Sequence, residues 1–501
     1  MLDRSRLLLV ASLALAALLA APPARAQSVA FPLKVSPNGR YLVDQTGRPF
    51  RIHGDAGWDI AQKVTLAELR SYLDDRRAKG FNTILTYWGA SVDYVVDNQT
   101  TPGAVGAGGA RPFLRDTAGN PWNGAMATPD FSSPNAAYFA WIDTVIAEAA
   151  SRNLLVLFGA MYLGYDQGGS DGWTQAINNG ANTPAVCSGF GQFLGNRYGN
   201  ATNVIWYIGG DNTIPGSGSQ TETRALAVLQ GIKTAGAAQP WTAHWIHDYL
   251  STEATAFAPF MDLQHIYTHG PYPTLGPTYP LARLGYQQVP ARPSFLLETT
   301  YEGNWGSTAI DVRGYSWGAA LSAIGGVVYG HGVLWKFDTA QNPGWIAAMQ
   351  SGGARDMQRL AGLLDPLPWY RLVPSGLAGM PTLITAGGGT YGAWSHSGSV
   401  GGFDYVVAAA DSQGAALVAY VPTAHTGSIT VTLAPMAAAS FARWYDPTTG
   451  ASTPIAGSPF PNTGTQAFTV PAAAHADGSR DWVLVLETTA TPVELLGFRI
   501  D

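Results

Sequence analysis

Apolar residues recur along the chain with two different periods, and the change from one to the other divides it. From Phe31 to about Pro366, short apolar runs alternate with stretches of helical spacing. Runs at 50–55, 82–88, 154–160, 204–211, 241–247, 261–267, 294–298 and 326–337 read as strands buried on both faces. Between them, Leu66, Leu69, Tyr72 and Leu73 share one helix face, as do Phe139, Ile142, Val145 and Ile146. Eight strand–helix units predict an α/β fold, a (β/α)8 TIM barrel, which needs about 250 residues plus insertions. The largest insertion, a Gly-, Pro- and Asn-rich stretch at 89–134, follows the second strand and is expected to roof the C-terminal face of the barrel.

Past Pro366-Leu367-Pro368 the helical spacing disappears. Short alternating runs at 405–409, 415–421, 429–433, 441–445, 467–470 and 482–487 follow, punctuated by turns such as Asp446-Pro447-Thr448-Thr449-Gly450. They predict a C-terminal antiparallel β-sandwich, expected to buttress the barrel rather than to bind carbohydrate by itself.

At the N-terminus, Arg4 and Arg6 precede an apolar run at 7–21, then Pro22-Pro23 and the small-x-small site Ala24-Arg25-Ala26. This pattern predicts a secretory signal over 1–26, a mature chain from Gln27, and a secreted or periplasmic protein. The run is shorter than the ~20 residues of a bilayer span, and no later stretch reads as one. The expected organisation is therefore a signal at 1–26, a catalytic barrel at 27–366 and a β-sandwich at 367–501. Cys187 is the only cysteine, so no intramolecular disulfide forms, and it reads as a small residue on a helix face.

Charged residues make up 12% of the chain, with a net charge of -6 and no basic patch, which argues against nucleic acid as a partner. With 59 Gly and 16 Trp, the composition suits long loops and a stacking surface. The candidate chemistry follows from two acids that end apolar runs, Asp211 in IWYIGGDN and Glu298 in SFLLETTYEG. In a barrel, strand C-terminal tips carry the active site, and two carboxylates there are the equipment for glycoside hydrolysis. Counted along the chain, Asp211 ends the fourth strand and Glu298 the seventh; by analogy with retaining barrel glycosidases, which carry an acid/base on strand four and a nucleophile on strand seven, these are the roles expected of them. Glu302 is the rival for nucleophile, and Gly209-Gly210 suggests close backbone approach before Asp211.

Around the acids, the strand tips offer a sugar-binding set: Asp55 and Trp58, Trp88, His265 and Tyr267, Tyr301 and Glu302, then His331 and Trp335. His244, His247, His265, His269 and His331 lack the short paired spacing of a metal site, so neither a metal nor another cofactor is expected. Asp166 and Asp171 read as turn residues in preference to calcium ligands. The expected partner is a polysaccharide or oligosaccharide substrate; the alternative is a barrel that binds carbohydrate without turnover.

Several blocks of sequence carry a family resemblance. FPLKVSPNGRYLVDQTGRPFRIHGDAGWDI, LAELRSYLDDRRAKGFNTI, WYIGGDN, LLETTYEG and YSWGAALSAIGGVVYGHGVLWKF together resemble the apiosidase-like glycoside hydrolases, family 140 and its relatives. WYDPTTG resembles their companion β-domain, which carries a collagen-binding label. The resemblance implies a barrel with a C-terminal β-sandwich, and exo-acting, retaining cleavage of apiose or another furanoside. It implies an acid/base at Asp211 and a nucleophile at Glu298.

Overall fold

In the computed structural model, which describes residues 28–89, 110–122, 128–164, 172–213, 219–269, 277–337 and 344–489, eight parallel strands form the barrel. They are β1 (Ile52–Ala56), β2 (Thr83–Tyr87), β3 (Leu155–Tyr162), β4 (Val204–Gly209), β5 (Trp241–His244), β6 (Gln264–Tyr267), β7 (Ser294–Glu298) and β8 (Ile324–Tyr329). Their ladder runs β5-β4-β3-β2-β1-β8-β7-β6. The ends meet at the β5–β6 seam, where the Asp262 and Leu263 N–H groups donate to the Trp241 carbonyl at 2.8 and 3.0 Å.

Alternation along the strands separates two cores. Ile52, Ala56, Leu85, Leu157, Ile205, Tyr207, Phe295, Leu297 and Val328 fill the barrel interior. Their neighbours in sequence, such as Ile84, Phe158, Trp206 and Leu296, pack outward against helices. A small antiparallel sheet of Lys34–Val35, Leu42–Val43 and Pro49–Phe50 precedes β1. Its Leu42 and Phe50 join the interior cluster and close the N-terminal end, which leaves the opposite end as the mouth.

The helices begin where their sequences supply caps. Leu66–Ala78 starts at a capping box in which Thr65 Oγ1 accepts from the Glu68 N–H and the Glu68 carboxylate accepts from the Thr65 N–H. Pro184–Tyr198 is capped by Thr183 and Gln220–Thr234 by Ser219. Cys187 lies buried on the first of these, and burial pushes its thiol up to about 12, so it is inert. The eighth-fold expectation of strand and helix fails once: β5 and β6 are joined by two 3-10 turns, Ser251–Glu253 and Ala258–Phe260, in place of an α-helix. Part of the 89–134 insertion is described, and it joins the outer core beyond the tip of β2. Phe113, Trp122 and Phe131 pack into the outer core around Trp88, Trp173 and Phe190.

The C-terminal region is a sandwich. A six-stranded antiparallel sheet, starting at Leu372–Pro374, faces a three-stranded sheet of Ile384–Ala386, Ser428–Thr432 and Thr465–Thr469. Ala408, Ala410, Leu417, Ala419, Leu484 and Leu486 fill the space between. The other face of the large sheet, with Val407, Ala409, Val418, Tyr420, Val483 and Val485, is continuous with the core formed by barrel helices through Val312, Trp317, Met357 and Leu360. Both faces of this sheet are therefore buried, one of them against the barrel. No helix among the described residues is long and apolar enough to cross a membrane.

Candidate active site

Glu298 reaches the mouth of the barrel through an irregularity in β7. Phe295 and Leu297 point inward and Leu296 outward, so strict alternation would send Glu298 toward the helices. The ladder to β6 shifts register between Leu296 and Glu298, placing Leu296 opposite Ile266 and Glu298 opposite Tyr267. This bulge turns the carboxylate into the mouth. There its Oε2 meets His244 Nε2 at 2.5 Å, and its Oε1 accepts from the Tyr301 hydroxyl at 2.5 Å. A carboxylate only accepts, so Nε2 of His244 carries the hydrogen. The Trp58 indole N–H donates to the Tyr301 oxygen at 2.5 Å and holds that phenol in place. Burial alone would lower the His244 pKa, but the hydrogen bond and charge of Glu298 outweigh it and raise the value.

Asp211 is delivered by two glycines after β4. Gly209 has φ +105°, and a Cβ there would come within 2.0 Å of the His244 carbonyl oxygen. A Cβ at Gly210 would come within 2.7 Å of the Gly164 nitrogen. Glycine at both positions lets the chain pass between the tips of β3 and β5, where the Gly210 N–H donates to the His244 carbonyl at 2.7 Å. Asp211 then sits half-buried with a hydrogen bond from the Tyr267 hydroxyl. Burial first, and the charge of Glu298 second, raise its pKa; His244, His269 and the Tyr267 hydrogen bond pull the other way without prevailing. The two acids thus lie within each other's field, and their environments differ. Glu298 is held by two donors, while Asp211 is kept protonated to higher pH than an ordinary aspartic acid.

Aromatic rings flank the pair on both sides. Trp58, Tyr87 and Tyr162 pack together at 4.9 to 5.6 Å between ring centroids, and Trp58 lies 5.5 Å from His244. Asp59 anchors this group by accepting from the Tyr87 hydroxyl at 2.5 Å. On the Asp211 side stand Tyr267, His269 and His247, with Trp305 against His269 at 4.5 Å.

Of the residues expected at the site, the structure brings together Asp211, Glu298, Trp58, Tyr267 and Tyr301. Trp335 is half-buried against the interior cluster, and its carbonyl accepts from the Asp59 N–H at 3.1 Å. His265 is wholly buried one layer below, parallel to His244 at 6.4 Å with Nδ1 on Ser251 Oγ at 2.8 Å, too deep to touch a sugar. Asp55 points outward to the helix layer, where it accepts from Tyr72 at 2.6 Å and pairs with Arg76 at 3.5 Å. Trp88 is buried in the outer core, stacked on Trp173 at 4.9 Å with its N–H on the Ala160 carbonyl. The Glu302 carboxylate accepts from Tyr329 at 2.5 Å and from the Gly353 N–H at 3.1 Å, at the start of helix Gly352–Leu364, and His331 lies beside it. Asp166 and Asp171 lie outside the described residues, and among the described residues no three His, Cys, Asp or Glu side chains converge as metal ligands. Sequence reasoning passed over His244 as a site residue, because it lies inside the apolar run at 241–247 and only the structure ends β5 on it.

Known structures share this architecture. A protein described only as a glycoside hydrolase superposes with a TM-score of 0.71 at 20% identity, over 93% of this chain and all of its own (100%). A glycoside hydrolase family 5 protein from Bacteroides vulgatus ATCC 8482 does so with 0.70 at 19% identity, over 92% of this chain and 95% of its own. At such identities the likeness speaks for the fold alone. No curated protein matches the chain. A family model named for a collagen-binding domain of a collagenase matches residues 397–487, within the C-terminal sandwich. A model described as "Apiosidase-like, catalytic domain" matches residues 36–371, which spans the barrel and more than half of the sequence. The chain belongs to this apiosidase-like family and is a glycoside hydrolase.

Proposed function

We propose that this glycoside hydrolase works by the retaining mechanism on a terminal sugar, with Glu298 as nucleophile and Asp211 as acid/base. A Glu298 oxygen attacks the anomeric carbon as the glycosidic C–O bond breaks, and Asp211 gives its proton to the departing oxygen. Asp211, now ionised, takes a proton from the water that attacks the glycosyl ester, and the C–O bond to Glu298 breaks to restore the carboxylate. His244 and Tyr301 hold the nucleophile's two oxygens throughout, and Tyr267 orients the acid. The observation that carries this reading is the mutual field of Asp211 and Glu298 at the barrel mouth, with unequal hydrogen-bond environments that split their roles.

The depth of the pair favours one terminal unit over the middle of a chain: the side chain of Glu298 is only 12% exposed, behind Trp58 and Tyr301. Family membership supports apiose or another furanoside as that unit, at the end of a plant or bacterial polysaccharide side chain. The signal-like segment at 1–26 supports action outside the cytoplasm. Incubating the chain from Gln27 onward with pectic side chains and furanose-rich bacterial glycans tests the reading. Release of one monosaccharide, lost in both Glu298→Gln and Asp211→Asn, is expected. No release from any of them by correctly folded protein would favour a carbohydrate-binding barrel instead.

A further inference from the structure

The second domain reaches the rim of the active site through a hairpin. Strands Ala393–Ser395 and Gly398–Val400 pair with each other and leave the sandwich to meet the segment after β5. Tyr279, at the start of the helix after β6, anchors the base of this excursion, stacking on Tyr405 at 4.9 Å and accepting from the Gly392 N–H at 2.6 Å. At its tip the His396 ring stacks on Tyr249 at 4.2 Å with 14° between planes, and its Nε2 meets Glu253 at 2.7 Å. Next to it, a Cβ on Gly398 would lie 3.8 Å from the Asp248 carboxylate. That carboxylate, buried and at a residue with φ +67°, binds His247 Nδ1 at 2.6 Å.

His247 belongs to the Asp211 side of the mouth. Its ring lies 6.0 Å from that of His269, and both imidazoles feel the charge of Asp211. His269 in turn supports Trp305, which is 54% exposed and takes φ +48°, a left-handed conformation unfavourable for a bulky residue. An exposed indole held in a strained conformation against the imidazole that borders Asp211 is the arrangement of a ligand platform, since aromatic faces stack on sugar rings.

We propose that the leaving-group side of the site extends as a carbohydrate subsite from Trp305 and His269, past His247, to His396 of the second domain, so that both domains hold the glycan chain from which the terminal sugar is cut. The inference rests on Asp211 as the acid/base, because the group that protonates the departing oxygen must border the departing chain. It also gives the C-terminal domain a part in substrate choice.

The test uses the full mature chain and the glycan from which it releases sugar, beside the 4-nitrophenyl glycoside of the released sugar. His396→Ala and Trp305→Ala are both exposed changes, and melting curves verify that each folds. Each is expected to raise KM for the polymer about tenfold with kcat on the polymer changed less than twofold, and His396→Ala, in the second domain, is expected to leave both constants on the nitrophenyl glycoside within twofold. In a Glu298→Gln background, titration calorimetry with the polymer is expected to show the same loss of affinity without turnover. Equal effects on polymer and nitrophenyl glycoside, or no effect on either, would overturn the subsite. Turnover that survives in Glu298→Gln would instead overturn the proposed mechanism.

Discussion

Arg313, on helix Ala309–Ala320 of the barrel, is wholly buried against the second domain and spends all but one of its hydrogen bonds there. It gives two hydrogen bonds of 2.8 Å to Asp481, one of 2.8 Å to Ser479, one of 3.1 Å to Asp477 and one of 2.6 Å to Asp356. Replacing it with Met keeps much of the volume and removes the charge. The partners fare unequally. Asp477 is 33% exposed and rehydrates, while Asp356 keeps Arg359 at 2.8 Å. Asp481 is fully buried and retains only neutral donors, Tyr420 at 2.9 Å and Thr423 at 3.4 Å. One uncompensated buried carboxylate corresponds to about 3–5 kcal/mol, and the two remaining donors put the expectation near the lower end, about 3 kcal/mol. Removing that charge as well, in Arg313→Met with Asp481→Asn, should recover at least about 1 kcal/mol of the loss, a coupling that neighbouring groups show and distant ones do not. Urea unfolding followed by tryptophan fluorescence reads this directly, since Trp317 stacks on Tyr420 at 5.9 Å across the same junction. A loss below about 1 kcal/mol in the single variant, or a double variant no more stable than the single, would refute the reasoning.

Four further outcomes follow from the site. Tyr301→Phe removes one donor from Glu298 and unpairs the Trp58 N–H, so kcat/KM should fall roughly tenfold to a hundredfold, as for a hydrogen bond to a charged group worth about 1.5–3 kcal/mol; steady-state kinetics that stay within twofold of wild type contradict it. Asp211 keeps its proton above the ordinary value of about 3.9, so the alkaline limb of the pH–rate profile should lie above that value and be missing from the residual activity of Asp211→Asn on a nitrophenyl glycoside, whose leaving group needs no acid. The same shift has a stability sign: the unfolded chain loses this proton first, so stability falls as pH rises through the interval between the unfolded and folded pKa, and Asp211→Asn should melt higher than wild type at pH 7. Glu302→Gln weakens an anion at a helix N-terminus and should cost about 0.5–2 kcal/mol of stability while leaving kcat within twofold; a large loss of kcat would return Glu302 to the catalytic pair.

What the sequence reveals, and what it hides, follow from the range of the interactions. Runs such as those at 204–211 and 294–298 are apolar on both faces because their strands are covered inside and out, so a barrel is legible in them. The orientation of a residue at a strand tip is not local information. Asp55 and Glu298 both end apolar runs, yet alternation points Asp55 at Arg76 in the helix layer, whereas a bulge set by pairing with β6 turns Glu298 inward. Trp88 and Trp305 are equally aromatic in sequence, and only packing makes one a core residue and the other an exposed platform. His244 acquires its role from a carboxylate 54 positions away, which no spacing motif records.

The division of labour between the two acids is tested most directly by azide rescue with the 4-nitrophenyl glycoside of the released sugar. In Asp211→Ala the nitrophenolate departs without an acid, and azide attacks the glycosyl ester on Glu298, so the rate should rise with azide and the glycosyl azide should keep the substrate's anomeric configuration by proton NMR. In Glu298→Ala azide takes the nucleophile's place and should give the opposite anomer. An inverted product from Asp211→Ala, or a retained one from Glu298→Ala, would contradict the assignment of Glu298 as nucleophile and Asp211 as acid/base.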